Sequence, residues 1–383
     1  MTSDDLPIGR RVARWRVRRQ MTQQMLADRL GRSKSWVDKI ERGARPLDRY
    51  SVIQELAHVL RVDPEVLLGQ QPQRTPAGSL DGVDDIRAAL ARYDTPEATQ
   101  QTPEEARRRV GHAWLTYQHA HYGQLVRVLP GLLDVVQGAA SPELLVQAYR
   151  ITSALLVKLG EADLAWLAAD RAMTAAGDDP ALAATAAVSV GQALRAAGRD
   201  CLALTATLAA ANRVRPQRSP GEWAVAGTLL LQAALAAAGC GEHRRADELT
   251  DRAAGVAASL RGYDDQHRTS FGPVAVEMAR VLVAAQRGDA DAALIRHPTV
   301  VRREAWRRLP AEYRGAYLLD VARAYLHTGD LRGAARALVD ADSIAPAEVR
   351  WRPLARTLIA DVARAKPAPA GVARLATLVG LTR

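Results

Sequence analysis

Residues 21–43 read MTQQMLADRLGRSKSWVDKIERG, two short helical patterns that meet at a glycine. Thr22 is a good N-cap, and Leu26, Ala27 and Leu30 after it share one helical face. Gly31 suits the left-handed backbone that ends a helix. Ser33 caps the next stretch, whose apolar stripe is Val37 and Ile40, and Gly43 ends it. Two short helices joined by a tight glycine turn are the sequence form of a helix-turn-helix.

Residues 8–20 on the N-terminal side predict a first helix, with Ile8, Val12 and Trp15 as its buried stripe. Arg10, Arg11, Arg14, Arg18 and Arg19 fall mostly on its other faces. On the C-terminal side, a helix over about 47–60 turns Ile53, Leu56, Ala57 and Leu60 inward. Asp63-Pro64 opens a fifth, closed by Val66, Leu67 and Leu68. Five helices make a complete small domain over residues 1–69. Its first seventy residues hold fourteen Lys and Arg against nine Asp and Glu, half of the net charge of +10 in under a fifth of the 383-residue chain. Basic charge gathered on such a unit fits a polyanion such as double-stranded DNA.

The run resembles the helix-turn-helix of the Cro/C1-type (XRE) family of phage repressors and bacterial regulators. The family pattern is roughly L-T-Q-x-x-L-A-x-x-L-G-x-S-x-S-x-[IV]-S-x-[IL]-E-x-G. Thr22, Gln23, Leu26, Ala27, Leu30, Gly31, Ser33, Ser35, Val37, Ile40, Glu41 and Gly43 stand in register, and Met21 replaces the leading leucine. The resemblance implies that Gln23, at a helix N-terminus, holds a backbone phosphate with help from Gln24. It makes residues 33–42 the recognition helix, with Arg32 and Ser33 at its entry and Lys34, Ser35 and Lys39 facing base edges. Trp36 replaces a small residue and either packs on a sugar or against the preceding helix. Asp38, acidic beside DNA, is expected to pair with an arginine. Glu41 is expected to pair with Arg16 as scaffolding. Arg42, Arg45 and Arg49 surround a loop that follows the DNA backbone.

Residues 70–79, QQPQRTPAGS, are polar with two prolines and a glycine, and 70–82 reads as a linker, either hinge or tether. Residues 83–383 read as helix after helix. Over 319–346, Ala322, Tyr325, Gly329-Asp330, Ala334, Leu338, Ala341 and Pro346 resemble the tetratricopeptide pattern. Weaker copies carry turn glycines at 160, 198, 241 and 288, each followed five places on by Ala165, Ala203, Ala246 or Ala293. The fourth copy reads as broken at His297-Pro298. The array is expected to begin within 110–137, where Trp114, Tyr117, His119, His121 and Tyr122 form either helix-packing core or a ligand wall. Residues 351–383 read as a capping helix pair split at Lys366-Pro367. The predicted fold is all-α, a five-helix helix-turn-helix domain followed by a tetratricopeptide-like α-solenoid.

This combination resembles peptide-pheromone-responsive regulators of Gram-positive bacteria and many actinobacterial regulators. It implies a homodimer reading two half-sites and a repeat domain that senses a peptide or small-molecule effector. Aligned on the turn glycines, Arg150, Gln192, Arg195 and Arg323 fall on the concave face, where they suit a peptide backbone or a carboxylate. The alternative is a docking scaffold for another protein, with the helix-turn-helix serving to localise it. No P-loop, G-x-S-x-G or metal-ligand cluster points to an enzyme, a metal or a cofactor. No run of about twenty uncharged apolar residues suggests a membrane span, and MTSDDLPIG does not read as a secretory signal. A cytoplasmic, nucleoid-associated protein is expected, with Cys201 and Cys240 as thiols rather than a disulfide.

Overall fold

The computed structural model describes residues 8–19, 21–44, 47, 50–60, 82–92, 102–139, 141–214, 219–260, 265, 267–365, 369 and 371–381, and no strand occurs among them. The chain divides into two compact units, Met1–Ser79 and Leu80–Arg383. The fold is all-α, a helix-turn-helix unit and a tetratricopeptide-like solenoid. The expected fifth helix, the linker 70–79, Arg45, Arg49, the inward side chain of Ile53 and the break at Lys366-Pro367 lie outside the described residues.

In the first unit, α1 (Ile8–Arg18), α2 (Gln23–Arg29), α3 (Lys34–Glu41) and α4 (Tyr50–Leu60) bury Val12, Met21, Leu26, Val37, Leu56 and Leu60. The Thr22 hydroxyl accepts from the Met25 amide at 3.1 Å and the Ser33 hydroxyl from the Trp36 amide at 3.2 Å, so each short helix starts on a side-chain cap. Gly31 and Gly43 end them at φ +62° and +74°.

The second unit opens with α5 (Val83–Ala91) and then stacks six helical hairpins. Their first helices are α6 (Pro103–Gln118), α8 (Pro142–Leu159), α10 (Pro180–Ala196), α12 (Pro220–Gly239), α14 (Pro273–Gln286) and α17 (Ala311–His327). The returning helices are α7 (Tyr122–Gly138), α9 (Ala162–Ala176), α11 (Asp200–Arg213), α13 (His243–Ser259), α15 (Ala290–Val301) and α18 (Leu331–Ile344). A short α16 (Glu304–Arg308) precedes α17, and α19 (Pro346–Trp351), α20 (Pro353–Ala363) and α21 (Val372–Leu378) follow α18. Gly160, Gly198, Gly241, Gly288 and Gly329 turn five of the hairpins at positive φ. The alanines five places on, Ala165, Ala203, Ala246, Ala293 and Ala334, are fully buried. At those sites a methyl group is all that fits between the paired helices.

The first hairpin departs from this rule. It starts at Pro103, before the expected 110, and its turn is Ala120 at φ +58°. Five places on stands Leu125, not alanine.

Two expectations are corrected. α15 runs unbroken through His297-Pro298 to Val301. Proline removes one backbone donor, and the turn beyond it is retained by the burial of Val300. Cys201 and Cys240 form a disulfide, with Cα atoms 5.5 Å apart. α11 returns antiparallel along the stack, so its first turn lies beside the end of α12. α12 is long and apolar enough by length and composition to cross a membrane, but 83% of its most apolar window is buried inside the unit as core.

The two ends of the array meet. The Trp351 ring lies over Gly123 of α7, and Pro353 lies over the Gly160 turn. Between them is a buried ion cluster. Lys158 on α8 reaches Glu312 of α17 at 2.8 Å and Glu348 of α19 at 2.7 Å. Arg352 holds the other Glu348 oxygen at 2.8 Å, and the Tyr122 hydroxyl donates to Glu348. Burial alone would raise the Glu348 carboxyl, but Lys158 and Arg352 outweigh it and hold it below the usual carboxylate range. Glu312, which shares only Lys158, is pushed up by burial.

His297 gives the fold a pH dependence. Its Nδ1 lies 3.1 Å from the Tyr317 hydroxyl, and burial lowers its pKa from 6.5 to about 4. Between those values the unfolded chain takes up a proton that the folded one refuses. This contribution is complete above the unfolded pKa and is lost as pH falls towards the folded one, by at most about 3 kcal/mol because water screens the part-exposed ring. Denaturant titrations across that window are expected to show the loss, and His297→Gln to flatten it. An unchanged slope in the variant would assign the dependence elsewhere.

Candidate functional site

α3 turns by about 100° per residue, which puts Val37, Ile40 and Glu41 on one side and Lys34, Ser35, Asp38, Lys39 and Arg42 on the other. The first three are buried and pack the helix onto its unit. On the opposite face Lys34, Ser35, Lys39 and Arg42 are exposed. Arg42 and Asp38 pair within that face. Lys34 and Lys39 have no ion-pair partner among the described residues. Trp36 flanks the face, half-buried, with the Arg32 guanidinium 5.6 Å from its ring centroid. Arg32 also lies 4.0 Å from Glu55.

Glu41 is the anchor beneath this face. Its carboxylate accepts from Arg16 Nε at 2.6 Å and Nη2 at 3.0 Å, and from the Gln23 side-chain amide at 2.9 Å. Arg16 Nη1 also donates to the Met21 carbonyl at 2.8 Å. One carboxylate thus ties α1, the turn before α2, and the first residue of α2 to the end of α3. The Gln23–Glu41 bond has no local sequence signal, since eighteen residues separate the two. Gln23 keeps its side-chain oxygen and its place at the N-terminus of α2. Gln24 is exposed and donates to Asp28 at 2.7 Å. Arg16, Thr22, Gln23, Gln24 and Lys34 line one shallow open groove beside the Lys34 end of α3. The end of α1 and the starts of α2 and α3 converge there, a place where free helix N-terminal amides meet cationic side chains.

In the second unit, side chains from the first helix of all six described hairpins surround a cavity of about 90 Å³ that opens to solvent. Arg150 and Gln192 line it. Arg195 sits one turn beyond Gln192 and donates to Gln232, itself a lining residue, at 3.2 Å. Arg323 pairs with Asp320 at 2.7 Å and is not among the lining residues. Trp114 and Tyr117 of the aromatic cluster face the cavity, whereas Tyr122 is spent on Glu348 and His119 is exposed. The segment 267–271 supplies a further wall that no helical repeat pattern signals. Asp265 holds it by accepting from the Thr269 and Ser270 amides at 2.8 and 2.7 Å, and Arg268 and Ser270 adopt φ of +55° and +53°. The Phe271 ring seats directly on α12 at Gly227, where a Cβ would lie 2.1 Å from the ring.

Arg150 is buried, with its guanidinium 5.3 Å from the Trp114 ring centroid and one bond to the His267 carbonyl at 3.1 Å. Burial lowers its pKa to about 10.

Residues 7–68 match the family described as a helix-turn-helix domain. No curated protein matches the chain. Among solved structures, the chain is similar to Bacillus thuringiensis PlcR in complex with the peptide PapR7 and DNA, at 10% identity over 89% of this chain and 98% of that one. The TM-score is 0.37. Its first unit, over residues 7–68, places this chain among proteins that carry a helix-turn-helix domain.

Proposed function

We propose that this protein is a sequence-specific, DNA-binding transcriptional regulator that acts as a homodimer in the cytoplasm and carries its effector sensor in the repeat unit. The observation that carries the reading is the exposed face of α3, where Lys34, Ser35 and Lys39 stand clear over a helix fixed from below by Arg16, Gln23 and Glu41. In this reading α3 enters the major groove, Lys34 and Lys39 donate to guanine O6 and N7, and Ser35 reads permissively between them. Gln23 and Gln24 meet a phosphate at the start of α2, and Arg32, Ser33, Trp36, Arg42 and Arg45 border the contact. The Asp38–Arg42 pair keeps a carboxylate neutralised on this face.

Selection of genomic fragments by the purified protein, followed by footprinting, tests the reading. A protected inverted repeat with salt-dependent affinity is the expected result. Protection no better than on bulk DNA would reject it. Lys34→Ala and Lys39→Ala are each expected to weaken the selected site by about 1–3 kcal/mol more than random DNA. Equal losses on both DNAs would remove the base-reading role from these lysines.

A further inference from the structure

Two residues that line the repeat-unit cavity, Arg150 and Trp114, each carry a buried donor without an acceptor among the described residues. The donors are Arg150 Nε and Trp114 Nε1, and both residues are 5% exposed. They belong to neighbouring first helices, and the Arg150 guanidinium lies 5.3 Å from the Trp114 ring centroid. Among the described residues, Arg150 hydrogen-bonds to a carbonyl and no carboxylate is bonded to its buried guanidinium. Asp265, an acid that bears on its charge, is occupied with the amides of its own loop. An isolated buried cation and an isolated buried N–H are both unfavourable, and an anionic acceptor relieves both at once. Glu312, the acid that lines the cavity, is committed to Lys158. Beyond Arg150 the walls are mixed: Leu231, Leu235 and Phe271 give an apolar patch beside the polar Gln192, Thr228 and Gln232.

We propose that this cavity binds the carboxylate of a small apolar acid, its head on Arg150 and Trp114 and its body against Leu231, Leu235 and Phe271. The proposal rests on the reading of the repeat unit as a sensor and names the chemistry sensed. Two sources share that chemistry, a free organic acid and the C-terminus of a short hydrophobic peptide. The meeting of the first and last hairpins favours a ligand enclosed whole over a long chain threaded through.

The test uses the full chain without DNA, so that its failure is separate from failure of DNA reading. Octanoate, decanoate and 4-phenylbutyrate are titrated by calorimetry, beside their primary amides. An acetylated hydrophobic tripeptide is added with its C-terminus free and amidated. At least one acid is expected to bind at least about tenfold more tightly than its amide. Arg150→Gln is expected to remove that preference, and Arg150→Lys to restore part of it, with circular dichroism confirming that both variants fold. Whether a free acid or the tripeptide binds assigns the source. The proposal is overturned if no acid binds, if wild-type protein binds amides as well as acids, or if folded Arg150→Gln binds the acids unchanged.

Discussion

Lys158→Met is expected to destabilise the repeat unit by about 3–5 kcal/mol, although it lies outside the apolar core. The lysine is the shared cation of Glu312 and Glu348, whose side chains are 11% and 0% exposed. Removing it leaves Glu348 with Arg352 alone and Glu312 with no cation bonded to it. The loss is therefore that of a stranded buried charge rather than of two surface ion pairs, which would be nearly neutral. Chemical denaturation of the variant measures it. Lys158→Met combined with Glu312→Gln is expected to recover part of the loss, because one stranded charge goes with its partner. A loss under about 1 kcal/mol would show that water reaches the cluster and screens it.

Glu41→Ala is expected to cost the first unit about 3–5 kcal/mol and, with it, DNA binding. Three hydrogen bonds end on that carboxylate, and its removal leaves the Arg16 guanidinium and the Gln23 amide facing each other. A unit of this size has little stability to spare. Hydrogen exchange over residues 21–43 in the full chain is the direct measurement, since it reads this unit separately from the repeats. Arg16→Met with Glu41→Met is expected to restore exchange protection more than binding, because an apolar pair packs the helices while giving up the cation beside the Gln23 groove. Unchanged protection in Glu41→Ala would mean that the apolar seam of Val12, Leu26 and Val37 holds the helices by itself.

The parts legible in the sequence are those with local chemical cause. Thr22 and Ser33 announce helix starts because their hydroxyls bond within three residues, and the five turn glycines announce hairpins because few other residues take positive φ. The first hairpin hides because Ala120 makes its turn against that preference and Leu125 stands where the other repeats place alanine. Arg150 and Gln192 were placed on the concave face by their distance from a turn glycine, and both line the cavity. Arg323, placed by the same rule, is spent on Asp320. Residues that meet across the fold leave no such trace. Nothing near Lys158 points to Glu312 or Glu348, and nothing near Trp114 points to Arg150, because helical periodicity reports which face is buried and not what it is buried against. The disulfide belongs to the same class, since an antiparallel return and not a sequence motif brings Cys201 to Cys240.

A stack of helical hairpins in which each touches only its neighbours behaves as a one-dimensional chain of couplings, able to fray from either end and to lose terminal repeats one at a time. The bond from Tyr122 to Glu348 spans 226 residues and abolishes that freedom. Neither end can melt without uncovering the other, so the repeat unit should unfold as a single cooperative transition. These closing contacts are distant in sequence, and a nascent chain must wait for α19 before α7 and α8 find their last partners. Deleting the final helices would then strip the opening hairpin as well, and a truncation that looks conservative in a linear array is here a cut through a closed ring.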